Sequence, residues 1–156
     1  MTKEKLNLYG SMIATLVREN GDVEVTRKDN AIVTSGFNFI ADAVAQPLAA
    51  KRPDVMRYIA VGRQKTAVTV GDTALADEVF RQEATYAPNH PDWTFTMSTT
   101  IGAGDATDAI QEAGVFNALA ANTGVMLDRV QFDVINKGAL DTLTIEFVFR
   151  LSGAAA

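Results

Sequence analysis

Cysteine is absent from this chain. Disulfides and thiolate metal sites are thereby removed, and stability must come from packing or assembly; the absence fits cytosolic synthesis without fixing a redox compartment. Histidine is nearly as scarce, with His90 the single copy, set between Asn89 and Pro91. A Ser-His-Asp or Cys-His site would have to use it, and such sites need a base oriented by a buried third group, so His90 reads as a solvated turn residue. One histidine leaves only carboxylates to complete a zinc site, which is a poor donor set. Positive charge is also short: 14 Lys and Arg against 19 Asp and Glu give a net charge of -5. That balance repels phosphate backbones and supplies no counterion-release drive, so no nucleic acid partner is expected. No stretch reaches the roughly 18 apolar residues of a membrane helix. Met1-Thr2-Lys3-Glu4-Lys5 leads into no apolar run, and the expectation is a soluble, uncleaved chain with no membrane partner.

What is present is alternation. Leu143, Ile145, Phe147, Phe149 and Leu151 fall on one side of a period-two pattern, opposite Thr142, Thr144, Glu146, Val148 and Arg150. Trp93, Phe95, Met97 and Ile101 repeat it against Thr94, Thr96, Ser98 and Thr100. Strands apolar on one face must stack on something, and 156 residues suit one domain with a core of its own. The fold class predicted is mainly β: an antiparallel two-sheet β-sandwich with one short helix at about residues 35–46.

Along the chain, Met12 to Arg18 reads as a strand, and Asn20-Gly21-Asp22 turns it into Val23–Arg27 as a hairpin. Thr34 or Ser35 is a candidate cap for a helix whose Phe37, Ile40, Ala41 and Val44 form an apolar stripe, ended by Pro47. Arg57–Val61 is a short strand, Asp72–Glu78 a helical turn capped by Asp72, and Phe80 to Tyr86 one strand. Met1 to Tyr9 is read as a possible N-terminal arm and residues 153–156 as a short tail.

Candidate chemistry is thin. Asp105 and Asp108, with Asp72 or Asp77, offer oxygen ligands for calcium but lack the spacing of an EF-hand, and read as solvated loop carboxylates. Gly102-Ala103-Gly104 lacks the third glycine and following helix of a dinucleotide loop. Glu112 with Glu146 or Asp128 could be proposed as a glycosidase pair, but nothing in their spacing makes them converge. Tyr86 and Trp93 could stack a sugar, yet Trp93 lies on the apolar side of its pattern and is assigned to the core. Glu112 is instead read as pairing with Arg129 or a backbone amide, and Gly114 as a point of close approach. No cofactor and no metal are expected, and the chain is read as working through its surfaces.

Several blocks, taken in order, resemble a family. They are Ile59-Ala60-Val61-Gly62, Asp72 to Glu78 with Arg81, Glu112-Ala113-Gly114-Val115-Phe116-Asn117, Met126 to Phe132, Lys137 and Asp141 to Ile145. They look like small structural proteins of tailed bacteriophages, variously described as head decoration, neck or collar, and tail or fibre components. The similarity runs from Val23 to Leu151 and includes Asn30 to Gly36; where the family usually has Gly and Thr after Val61-Gly62, this chain has Arg63-Gln64-Lys65-Thr66. The resemblance brings no catalytic residues. It implies a non-enzymatic virion protein, made in the host cytoplasm, that decorates the capsid or neck as a cyclic homo-oligomer against other virion proteins. A tail, baseplate or fibre component, anchored by Met1 to Tyr9, is the alternative within the class, and a carbohydrate-binding module the alternative outside it. Glu112, Gly114, Phe116 and Arg129 are then scaffold, while Lys51, Arg52, Arg63, Gln64 and Lys65 are candidate contacts for an acidic partner.

Overall fold

The computed structural model describes residues 4–155. Ten strands and one α-helix follow in the order β1 (Glu4–Val17), β2 (Val23–Asp29), β3 (Ala31–Ile32), α1 (Thr34–Ala45), β4 (Tyr58–Gly62), β5 (Glu78–Glu83), β6 (Thr85–Asn89), β7 (Thr94–Ile101), β8 (Ala109–Phe116), β9 (Met126–Asn136) and β10 (Thr142–Ala155). They form two five-stranded antiparallel sheets, the first ordered β2-β1-β10-β7-β6 and the second β3-β9-β8-β4-β5. This is the predicted β-sandwich. Its core lies between Met12, Leu16, Met97, Leu143, Ile145, Phe147 and Phe149 of the first sheet and Ile59, Val61, Ile110, Val115, Val130 and Phe132 of the second. The alternation of β10 is reproduced from Leu143 to Phe149, because side chains two apart share a face of the pleat. Leu151, placed inward by the same pattern, is exposed.

The termini depart from expectation. Residues 4–9 and 153–155, read as an arm and a short tail, are strand: β1 and β10 pair continuously from Glu4 with Ala155 to Val17 with Thr142. As strands, residues 4–8 and 151–155 pair only with each other, in a two-stranded ribbon beyond the reach of β2 and β7, each satisfying one row of the other's backbone groups. Residues 1–3 and 156 of those two predicted segments lie outside the described residues. The hairpin turn is as expected, with Gly21 at φ 90 and its amide donating to the Arg18 carbonyl.

Other local expectations shift. The predicted strand from Phe80 to Tyr86 breaks at Ala84, with β5 in the second sheet and β6 in the first. Asp72–Glu78 forms no helical turn; Asp72 instead accepts from the Thr69 amide and hydroxyl at 3.0 and 2.7 Å. The helix spans Thr34–Ala45, close to the span expected, but its cap residue is Val33, without a capping side chain. Ser35 spends its hydroxyl on the Met126 carbonyl at 2.8 Å, so it fastens the helix to β9 rather than capping it. The stripe also fails: Gly36 is buried and Ile40 packs partly against the core, but Phe37, Ala41 and Val44 are exposed. Close approach through a glycine decides which face seats, since a Cβ on Gly36 would overlap the Leu127 carbonyl oxygen.

Trp93 is the largest correction. β7 begins at Thr94, and Trp93 belongs to the preceding turn, where it adopts φ 54 and ψ 37 and is 62% exposed. The period-two pattern does not extend across a left-handed residue, so the indole turns outward. Such a backbone is rare for a bulky side chain and costs about 1–2 kcal/mol.

Candidate functional site

The charged residues within the quoted sequence blocks converge on loops. Glu112 and Arg129 leave the outer face of the second sheet, where Gly114 and Arg129 are cross-strand partners. Both are buried, at 0% and 2% exposure. Arg129 donates to Glu112 at 3.0 and 2.8 Å and to Asp72 at 2.8 Å, and reaches the Thr66 hydroxyl at 3.0 Å. Glu112 also accepts from the amides of Ala76 and Asp77 at 3.0 and 2.8 Å. The pair thus pins residues 63–77 across the sheet, and buried Leu75 joins Val33, Ala60, Phe116 and Met126 in a small second core beneath that loop. Partial burial works against charge on Asp72, but hydrogen bonds from Thr69 and the Arg129 guanidinium outweigh it and hold the carboxyl below its usual range. Gly114 is where the layers meet, since a Cβ there would lie 2.7 Å from the Asp128 carbonyl oxygen and 3.3 Å from Leu75. Glu112, Gly114, Phe116 and Arg129 are thus brought together: the first and last as an ion pair, Gly114 as the point of close approach and Phe116 in the small second core.

Three further buried charges repeat the device, and no local pattern in the sequence distinguishes their roles. Arg81 grips Glu78 with two bonds of 2.8 and 2.7 Å, lies 3.8 Å over the Phe116 ring, and donates to the carbonyls of Ala118 and Thr123. It fixes the loop between β8 and β9. Lys137, whose pKa burial lowers, donates to the Gly102 carbonyl at 2.8 Å and steadies the loop between β7 and β8. Asp141 accepts from the amides of Gly138 and Glu19 at 2.7 and 3.1 Å and from Arg18 at 3.0 Å, tying down the first hairpin turn.

The carboxylates weighed for acid–base chemistry are not brought together as a pair in a groove. Glu112 is committed to Arg129 and two amides. Asp128 is buried against Asn30 and the Val115 amide, and desolvation raises its pKa to about 7 despite those two bonds. Among the described residues no group of three or more His, Asp or Glu could hold a metal ion.

The candidate contact residues divide. Arg63 is paired with Asp77 at 2.6 Å and Asp108 at 3.3 Å, and Lys65 with Asp133 at 2.7 Å, so their charge is largely met within the chain. Gln64 is exposed between them. Lys51 and Arg52 are exposed at the far end of the segment that leaves α1, Arg52 holding the Gln46 carbonyl at 2.9 Å. Among the described residues no hydrogen bond or ion pair links the two basic sets.

Two surfaces remain, the first missed by the sequence reading and the second weighed there as a sugar platform and set aside because Trp93 was assigned to the core. Beyond Ile40, α1 and the following turn stand away from the sandwich: Ala41, Ala43, Val44, Ala45, Leu48 and Ala49 are all exposed, Val44 at 82% and Leu48 at 55%. At the β6 edge of the first sheet, Tyr86 and Trp93 flank a cleft of about 450 Å³ that also takes in Pro88, His90 and Phe95. Searches against protein-family models, curated proteins and solved structures returned no match.

Proposed function

We propose that the chain is a non-enzymatic structural subunit of a tailed-bacteriophage particle, an accessory on the outside of the capsid or neck that is present in several copies and contacts other virion proteins. One observation carries the reading: residues 41–50 form an apolar projection, helix then turn, that faces water in the single chain. A helix with apolar residues around its circumference is ordinarily covered, and one of 12 residues is marginal without tertiary support. Repetition of the subunit supplies that cover, since symmetric assembly multiplies a modest patch into a stable contact. The phage-like blocks support the particle assignment, because their charged members hold loop shape rather than converge on a reacting centre.

Mass measurement over a range of concentrations tests the assembly. Val44→Asp is expected to leave the circular dichroism spectrum unchanged and to shift the population toward monomer. A wild-type chain that stays monomeric at every concentration and is missing from purified particles removes the proposal. The tail or fibre alternative draws on the Tyr86–Trp93 cleft, a feature suited to a host-facing part, and electron microscopy of labelled particles separates the two positions.

A further inference from the structure

The cleft beside Trp93 is built rather than incidental. The left-handed Trp93 backbone is held on both sides, its amide donating to the His90 carbonyl at 3.1 Å and its own carbonyl accepting from Leu151 at 2.9 Å. The turn beneath is braced by Asn89 donating to Asp92 at 2.7 Å. Across the cleft, Tyr86 packs on Phe95 with ring centroids 6.0 Å apart, and Phe95 stacks on buried Phe149 at 4.9 Å. Tyr86, 59% exposed, is thus linked through Phe95 to the core, while Trp93, 62% exposed, is held by its backbone. An unfavourable backbone conformation that faces an aromatic group into solvent points to use of that group, because strain of this kind concentrates at ligand sites.

The lining defines the ligand class. Seven residues shape the cleft, and none is Lys, Arg, Asp or Glu. A protein partner takes about 20–30 residues a side, whereas a volume near 450 Å³ falls in the ~300–1,000 Å³ range of small-molecule sites. The lining holds no Lys or Arg to pair with a phosphate or carboxylate group, and an ammonium group, though attracted to ring faces, would leave the hydroxyl groups of the lining unused. Indole and phenol faces offer electron-rich surfaces to the weakly positive C–H face of a sugar ring, while the His90 imidazole, the Thr94 hydroxyl and the Tyr86 hydroxyl supply polar atoms at its rim. A proline-rich segment also favours aromatic grooves, but makes less use of that polar rim. We propose that the Tyr86–Trp93 cleft binds a neutral saccharide, stacked on the aromatic side chains, whether borne by a cell-surface glycan or free in solution. The site stands independently of the particle assignment.

Trp93 is the only tryptophan, so emission excited selectively in the indole band, clear of the three tyrosines, reports on this cleft. The full chain is titrated with methyl glucoside, methyl galactoside, N-acetylglucosamine and their β-linked and α-linked trisaccharides up to about 50 mM, a range that captures millimolar dissociation constants. A saturable emission change with at least one sugar is expected. Tyr86→Ala should weaken it at least ~10-fold with an unchanged circular dichroism spectrum, and Lys51→Ala should leave it intact. A glycan array separates surface-borne from free saccharides. Emission unaltered by every sugar, with a blank array, overturns the proposal; so does a saturable response to a decaproline peptide alone, or one produced only by raising the protein concentration.

Discussion

Alanine in place of glycine within a helix normally stabilises by about 1 kcal/mol; at Gly36 the opposite sign is expected. Gly36 lies in the first turn of α1, and a Cβ there would overlap the Leu127 carbonyl oxygen and sit 2.9 and 3.0 Å from the Leu127 carbonyl carbon and Cα. The obstacle is backbone in the middle of a sheet, which cannot rotate aside, so the helix start must back away. Overpacking of that kind costs roughly 1–3 kcal/mol. The retreat also stretches the bonds that seat the helix, from Ser35 Oγ to the Met126 carbonyl at 2.8 Å and from the Thr34 amide to the Val70 carbonyl at 2.8 Å, each worth about 1 kcal/mol. Set against the propensity gain, Gly36→Ala should destabilise by about 2 kcal/mol, lowering Tm by roughly 4–8 °C for a chain of this size. Gly102→Ala is the matched control, since a Cβ there meets nothing within 4 Å, and should move Tm little. Thermal and urea denaturation followed by circular dichroism give both values. A Gly36→Ala protein as stable as wild type, or more so, refutes the claim that a glycine contact selects the seated face of α1.

Two further outcomes follow from the buried polar groups. Asp128 has its pKa raised from 3.8 to about 7 in the fold, chiefly by desolvation, so between those values the native state binds more protons than the unfolded chain. Its contribution to stability is complete below pH ~4 and is lost as pH rises to about 7, at a slope approaching 1.4 kcal/mol per unit. Asp128→Asn removes this dependence: with the Asn30 amide turned over, the new side chain donates to Asn30 Oδ1, which otherwise lacks a partner, and still accepts from the Val115 amide. The difference in urea stability between variant and wild type should grow in the variant's favour from pH 4 to 8, and a difference that stays constant counts against the buried neutral acid. Glu112→Ala leaves Arg129 short of a partner and two loop amides unpaired, at a cost of about 3–5 kcal/mol. Glu112→Leu with Arg129→Met should recover much of that loss in urea denaturation while hydrogen exchange speeds up at Ala76 and Asp77; slow exchange in the double variant would show that the pair does not pin the loop.

How far the sequence could be read depends on where each signal lies. β10 was legible because a two-residue period survives whenever one face is buried along a whole strand, and the Glu112–Arg129 pairing because both sit in neighbouring apolar strands that leave a charge little choice of partner. Trp93 was misplaced because the pattern of Phe95 and Met97 was carried back through a turn, where one left-handed residue reverses the facing of the side chain. The break at Ala84 carries no glycine or proline to mark the passage from one sheet to the other. The stripe in α1 has a genuine helical period, but the helix seats through Gly36, Ser35 and Ile40, and Phe37, Ala41 and Val44 were left to water. Asn30 and Asp128 meet across 98 residues of chain, a separation that no window on the sequence can span.

These particulars bear on why so much charge is buried in a protein whose strands already supply a core. A buried ion pair contributes little net stability, since the loss of hydration roughly cancels the attraction. Hydrophobic replacements would serve a fold that needed only to be stable. What Arg129, Arg81, Lys137 and Asp141 have in common is direction: each reaches from a strand or its end to backbone atoms or side chains of a loop. Loops fixed in this manner lose less conformational freedom on meeting a partner, and a weak patch repeated by symmetry then suffices for assembly. Such a placement of charge is consistent with the proposed role in assembly, for which the apolar projection of α1 and the Trp93 cleft are two exposed surfaces.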